Sequence, residues 1–350
     1  MVIDKKINTK TTIIIVTKDR PFCLFRLLKF LENFAEIFNV IVLDSSIKKY
    51  KKKQIYLKNG TVVKYYYYKS NILFTNKIFL GLKKVRTKYS VLCAVDDFIL
   101  PSKFNLFQNF LEKNPKYITV AGSAFHHPFQ FHTKLSNFYF EEIYKNRISN
   151  ECDMPEKRIK NYFYGKTRDI FYGYYNTYNL LRFYNFIKKI DDECAEYAAN
   201  IIPLYFGKAK YIKSFFFSRE PNEPFYKQYN NIELKTINKF LKKFKEINSN
   251  PKLISLIKNG LLSRKNKLIN NKSQFLKYFI FTLKKEIQTF LAKLLKYPVK
   301  SNRFKIIIDS KRLKITADDR LYMKKINELI IKNSQEIADE IGISRKKNFF

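Results

Sequence analysis

The feature that most constrains this chain is a rhythm: from residue 11 to residue 122, short runs rich in β-branched residues alternate with longer runs of helical period. TTIIIV (11–16), FNVIVLD (38–44), TVVKYYYY (61–68), YSVLCAV (89–95) and YITVAG (117–122) read as strands. PFCLFRLLKFLENF (21–34), NILFTNKIFLGLKKV (71–85) and a segment near 101–113 read as helices, the first with Pro21 at a position where a missing N–H is no loss. The alternation predicts an α/β fold, a sheet flanked by helices. Ligands of open sheets sit beyond the carboxyl ends of the strands, and Thr17, Arg20, Asp44, Asp96 and Asp97 all fall at such ends.

The pattern then loosens. Residues 123–165, with His126, His127 and His132 among aromatics, are expected as loops over the sheet. DIFYGYYNTYNLL (169–181) is mixed, DDECAEYAANIIPLYFG (191–207) reads as a helix whose acidic first turn suits the helix dipole, and KYIKSFFFSRE (210–220) as a last strand. PNEP marks a linker, which divides the chain into a first domain over 1–220 and a basic, mainly helical region over 221–350. In 275–297 the residues Leu276, Ile280, Leu283, Ile287, Leu291 and Leu294 form an apolar stripe among lysines. Two readings stay open for it: contact with an anionic membrane surface, or packing against the first domain or a twin subunit in a homodimer.

Lys and Arg number 68 against 30 Asp and Glu, a formal net charge of +38 that would draw phosphates, nucleic acid or anionic lipid. The chain is also rich in Asn, Ile, Phe and Tyr, has no Trp and only 8 Gly, the usage expected where codon composition favours A and T. Much of the lysine then reflects composition, and nucleic acid is not the partner we expect. Cys23, Cys93, Cys152 and Cys194 show no metal-ligand spacing and are expected as reduced, buried thiols. The polar first ten residues and the lack of a long uncharged apolar run lead us to expect a cytoplasmic protein, with attachment to the inner face of the membrane as an option.

The chemistry concentrates in YSVLCAVDDFILP (89–101), which sets Asp96 and Asp97 side by side after a strand. Hard cations such as Mg2+ or Mn2+ bind carboxylate oxygen, and one or two protein carboxylates suffice where substrate phosphates complete the shell. A helix cap with a solvated neighbour would give the same two letters.

TIIIVTKDRP, VIVLDSS and YSVLCAVDDFILP, in that order and at those intervals, resemble the nucleotide-sugar domain of GT-A glycosyltransferases, and within them a family-2-like bacterial group with a T-x-x-R-P turn and a D-D-F-I-x-P strand end. The likeness covers about 11–220 and lies in the combination of motifs. It implies a GT-A type, Rossmann-like mixed sheet in which Thr17 and Arg20 lie against the nucleotide and Asp44 meets the base or ribose. It further implies Asp97 as a metal ligand and Asp96 as a ribose or metal contact. Val95 stands where relatives often carry the first acid of the run.

The resemblance also implies an acid at the start of the helix after the acceptor region, to take the proton of the attacking hydroxyl. This chain reads IDDECAEY there, giving Asp192, then Glu193 and Asp191; at about 100° per residue only one of two neighbours faces the sugar. The implied activity is inverting transfer from a nucleotide-sugar donor to a glycan or lipid-linked acceptor in surface polysaccharide synthesis. Two rivals remain: a sugar-phosphate nucleotidyltransferase, although TKDRP lacks the glycine such loops carry, and a non-catalytic basic protein that binds nucleic acid or anionic lipid.

Overall fold

A computed structural model describes residues 10–34, 38–48, 54–126, 139–143, 148–167, 169–219, 233–270, 305–307 and 315–331. Its first half alternates as expected: β1 (Thr11–Thr17), α1 (Pro21–Leu31), β2 (Asn39–Asp44), β3 (Gln54–Tyr56), β4 (Val62–Tyr67), α2 (Phe74–Leu82), β5 (Tyr89–Ala94), β6 (Phe98–Ile99), α3 (Phe104–Lys113) and β7 (Tyr117–His126). Two short strands, β3 and β6, add to those read from the sequence. There follow β8 (Tyr139–Ile143), α4 (Pro155–Phe163), β9 (Tyr174–Asn176), α5 (Thr177–Ile187), α6 (Asp192–Phe206) and β10 (Lys208–Arg219). Beyond the linker come α7 (Leu234–Lys245), α8 (Pro251–Asn270), β11 (Lys305–Ile307) and α9 (Ala317–Ile331).

The strands join one mixed sheet, ordered β11-β8-β7-β9-β5-β1-β2-β4-β3, with β10 pairing both β7 and β6. At its centre β1 runs parallel to β2 and β5, and β4 parallel to β2. Every residue of β1 is buried, which is why its TTIIIVT run shows no polar alternation: both faces are covered. The antiparallel β9 bridges β5 and β7, so β7 and its parallel partner β10 point the same way as β5. The carboxyl ends of β1, β2, β4, β5, β7 and β10 therefore share one edge.

Several expectations need correction. The stretch 123–165 is not all loop, because β7 runs on to His126, β8 pairs with it antiparallel, and α4 forms from Pro155. β10 accounts for this: its long parallel pairing with β7, from Lys208↔Tyr117 to Arg219↔His126, supplies backbone partners that local sequence does not reveal. The DDFI stretch includes the two-residue β6, paired to Phe217 and Ser218 of β10. His127, His132 and the stripe in 275–297 lie outside the described residues.

The described part of 221–350 packs onto the sheet domain. α7 lies against α6, α8 against α4 and α9 against α1. Phe34 stacks on Tyr322 at 4.7 Å, and Lys103 Nζ meets the buried Asp319 at 2.8 Å. Among the described residues no helix is long and apolar enough to cross a membrane.

The end of α6 is held by a buried arginine. Arg158 donates to the carbonyls of Leu204 at 2.7 Å and Tyr205 at 2.9 Å, and to those of Cys152 at 2.7 Å and Asp153 at 2.6 Å. These are orphan carbonyls of the last helical turn and the loop entering α4. Arg158→Met leaves them without their donor and is expected to cost about 3 kcal/mol in urea unfolding; a cost within experimental error would show the four bonds to be dispensable.

Candidate functional site

The turn after β1 starts the site. Thr17 and Asp44 are register partners at the ends of β1 and β2. Asp19 follows with a φ of 52°, a left-handed conformation that a short polar side chain tolerates. Its N–H donates to Ser46 Oγ at 2.7 Å, and its Oδ1 accepts from Ile47 N at 2.8 Å. Two strand ends are thus stitched into one rim, and Arg20 and Pro21 are aimed by it.

Asp44 is 3% exposed. Its carboxylate accepts from Ser46 N at 2.8 Å, Ser46 Oγ at 2.5 Å and the Tyr65 hydroxyl. Burial raises its pKa; the Ser46 bonds and the charge of Lys77 work the other way. Lys77 stands beneath it, also buried, with Nζ donating to Thr17 O at 2.9 Å and Ser45 Oγ at 2.7 Å. Burial pulls this ammonium down to about 8, against the attraction of Asp44. Beside Asp44 opens a hollow of ≈ 320 Å³ bordered by Thr17, Asp19, Phe25, Asp44, Ser46 and Tyr65. That is the low end of small-molecule sites, about 300–1,000 Å³.

The second half of the site follows β5. A tight turn brings Asp97 N to Ala94 O at 3.1 Å and leaves both aspartates largely buried at the strand end. Asp96 pairs with the Arg20 guanidinium, so the β1 turn and the β5 turn are joined by an ion pair. Asp97 is hydrogen-bonded to the buried Tyr172 hydroxyl, whose ionisation burial and the Asp97 charge push well above the usual range; Tyr172 therefore stays a donor. Arg219 Cζ lies 5.8 Å from the centre of the Tyr172 ring. His126, across the ladder from Arg219, is driven down to about 4 by burial and by that arginine, and stays neutral near pH 7.

The three acids of IDDECAEY diverge. Asp192 Oδ1 accepts from Phe74 N at 2.8 Å at the start of α2. Asp191 takes two bonds from Lys239 Nζ, at 2.8 and 3.0 Å, and Glu193 accepts from Glu233 N at 3.2 Å. Only Asp192 turns to α2, on the site's edge of the sheet. There Phe74 stacks on Phe171 at 6.0 Å, Phe171 meets Tyr172 at 4.9 Å, and Tyr172 holds Asp97; Lys77 also feels the Asp192 charge.

Thr17, Arg20, Asp44, Asp96 and Asp97 thus gather on one edge. Sequence reasoning missed Lys77, Ser46 and Arg219, did not single out Tyr65 or Tyr172 within their tyrosine-rich runs, and took His126 for a loop residue. Lys77 did leave a signal, since it shares the buried face of α2 with Ile78 and Gly81, an unlikely place for a lysine without a polar task. Hard carboxylates at Asp96 and Asp97 suit a hard divalent cation whose remaining ligands come from a diphosphate. Among the described residues no trio of His, Cys, Asp and Glu is arranged to hold a metal unaided.

No protein-family model matches the chain, and no curated protein matches it. Among solved structures it is similar to a crystal structure of S. aureus TarS 1-349, at 14% identity over 97% of this chain and 93% of that one, with a TM-score of 0.49. The same TarS piece in complex with UDP gives 14%, 97%, 93% and 0.44, and in complex with UDP-GlcNAc 14%, 67%, 66% and 0.44. These TM-scores lie below 0.5, and the fold and site stand on the chain's own residues.

Lys77 makes the site's electrostatics measurable. The folded chain releases this proton near 8, whereas an unfolded lysine holds it to about 10.5. Between those values the unfolded state binds more protons, so stability rises with pH. Wild type is therefore expected to gain stability relative to Lys77→Met as pH goes from 8 to 10.5. A difference in urea midpoints that stays flat with pH would mean the ammonium is not buried.

Proposed function

We propose that this protein is a nucleotide-sugar-dependent glycosyltransferase of GT-A type, with catalysis in 1–220 and a supporting helical region in 221–350. The observation that carries the reading is the Arg20–Asp96 pair: Arg20 sits between Asp19 and Pro21, which border the hollow beside Asp44, and its partner Asp96 follows β5. An elongated ligand with a base at one end and a diphosphate at the other matches that layout. Asp44 and Thr17 receive the base or ribose against Phe25, while Arg20 and Arg219 offer positive charge to the diphosphate.

Asp97, with Asp96, would hold Mg2+ or Mn2+ together with diphosphate oxygens, and the cation would neutralise charge on the leaving group. Tyr172, kept protonated, fixes the Asp97 carboxylate. Asp192 is the favoured base: it takes the proton of the acceptor hydroxyl as that oxygen attacks the anomeric carbon, and the bond from that carbon to the diphosphate oxygen breaks with the electrons leaving on phosphate. Attack opposite the leaving group inverts the centre. Phe74 N, now bonded to Asp192, is released or shared in that step. A glycan or lipid-linked acceptor, and a place in surface polysaccharide synthesis, complete the proposal.

A ligand that binds only the folded chain raises its melting temperature. In a panel of nucleoside diphosphates, one base is expected to raise it, more so with Mn2+ present. Asp97→Asn should lower sugar transfer by roughly a hundredfold or more with folding intact; Asp192→Asn should lower turnover while nucleotide binding persists. If no nucleotide shifts the melting temperature, the reading fails.

A further inference from the structure

A second hollow, of ≈ 370 Å³, lies away from the strand ends, where α5, the end of α6 and α7 meet. Arg182, Lys188 and Lys243 border it with Asn185, Phe186 and Phe206, and no carboxylate does. Arg182 Cζ lies 5.7 Å from the centre of the Phe206 ring and 5.8 Å from that of Tyr178, both exposed aromatics. Lys243 Nζ stands 5.1 Å from the Phe186 ring and Lys188 Nζ 4.7 Å from that of Phe79, while Lys188 also donates to Asn185 Oδ1 at 2.9 Å. Among the described residues, the one acid bonded to any of the three cations is Glu246, on Lys243.

Arg182 and Lys188 have no acidic partner among the described residues, Glu246 offsets part of the Lys243 charge, and ring faces offset only part of what remains, so the hollow keeps a net positive charge. A bound anion neutralises it. The mixture also selects the anion: a guanidinium takes two phosphate oxygens at once, ammonium groups add charge, and the rings accept an apolar or sugar portion. We infer that this hollow is a binding site for a phosphate ester, whose phosphate meets Arg182, Lys188 and Lys243 and whose attached group lies against Phe186 and Phe206. The inference is independent of the donor-site reading, since it uses none of the same residues. A lipid headgroup and a soluble phosphorylated glycan share this chemistry.

The test is calorimetric titration of the full chain with phenyl phosphate and with inorganic phosphate, alongside flotation with phosphatidylglycerol–phosphatidylcholine vesicles. Phenyl phosphate is expected to bind more tightly than inorganic phosphate. The double variant Arg182→Gln/Lys243→Gln should lose about tenfold or more in affinity. Arg182→Lys, which keeps the charge and guards against a folding defect but loses the two-oxygen fork, should bind more weakly than wild type and more tightly than the double variant. Lys64→Gln/Lys113→Gln, which removes the same charge from exposed positions elsewhere, should bind as wild type does. Vesicle binding that falls with the Arg182/Lys243 pair assigns the site to a lipid headgroup; loss of phenyl phosphate alone assigns it to a soluble ester. Equal weakening in the charge-matched control, an unchanged Arg182/Lys243 variant, or no binding by wild type would overturn the inference.

Discussion

Parallel pairing at the centre of the sheet sets where chemistry is possible in this molecule. β2, β1 and β5 run side by side, with Thr17 opposite Asp44 and Val16 opposite Ala94, so the strands end nearly level. Both faces of these strands are covered, which leaves polar side chains room only at the ends. The short turns that follow then decide the rest: Asp19 in its left-handed conformation turns Arg20 toward the β5 loop, and Arg20 meets Asp96 there.

That arrangement concentrates charge in a largely buried place, at a cost to stability. Asp44 and Lys77 are both nearly removed from water, and burial disfavours the charged form of each. Their mutual attraction and the bonds from Ser46, Tyr65, Thr17 and Ser45 return part of that cost. A folded domain with large apolar contacts can carry such a pair, and functional edges are where proteins do so. Tyr172 adds a different element: a phenol held protonated is a fixed donor to Asp97.

The strands that carry the site could be read directly. TTIIIV and VIVLD are continuous β-branched runs, and a continuous run bounded by a turn has few other homes than a buried parallel strand. The acids at their ends stood out against a chain so poor in carboxylates. What stayed hidden depends on distant partners. β6 has two residues and exists because β10, more than a hundred positions later, pairs with it. His126 belongs to a strand for the same reason. Tyr65 and Tyr172 lie in tyrosine-rich runs where one hydroxyl looks like the next, and only folding singles out the two that reach Asp44 and Asp97. The three acids at 191–193 could be ranked but not separated, because their partners come from two distant parts of the chain: Phe74 at the start of α2, and Glu233 and Lys239 at and in α7.

Joining the Asp44 hollow to the Asp96–Asp97 turn in a single ligand site is the claim on which the account rests, and a crystal structure with a bound nucleoside diphosphate tests it most directly. The base is expected beside Thr17 and Asp44 and the diphosphate within reach of Arg20 and Asp97. Density for the nucleotide elsewhere on the surface, with the Asp44 hollow still empty at saturating concentration, would contradict it.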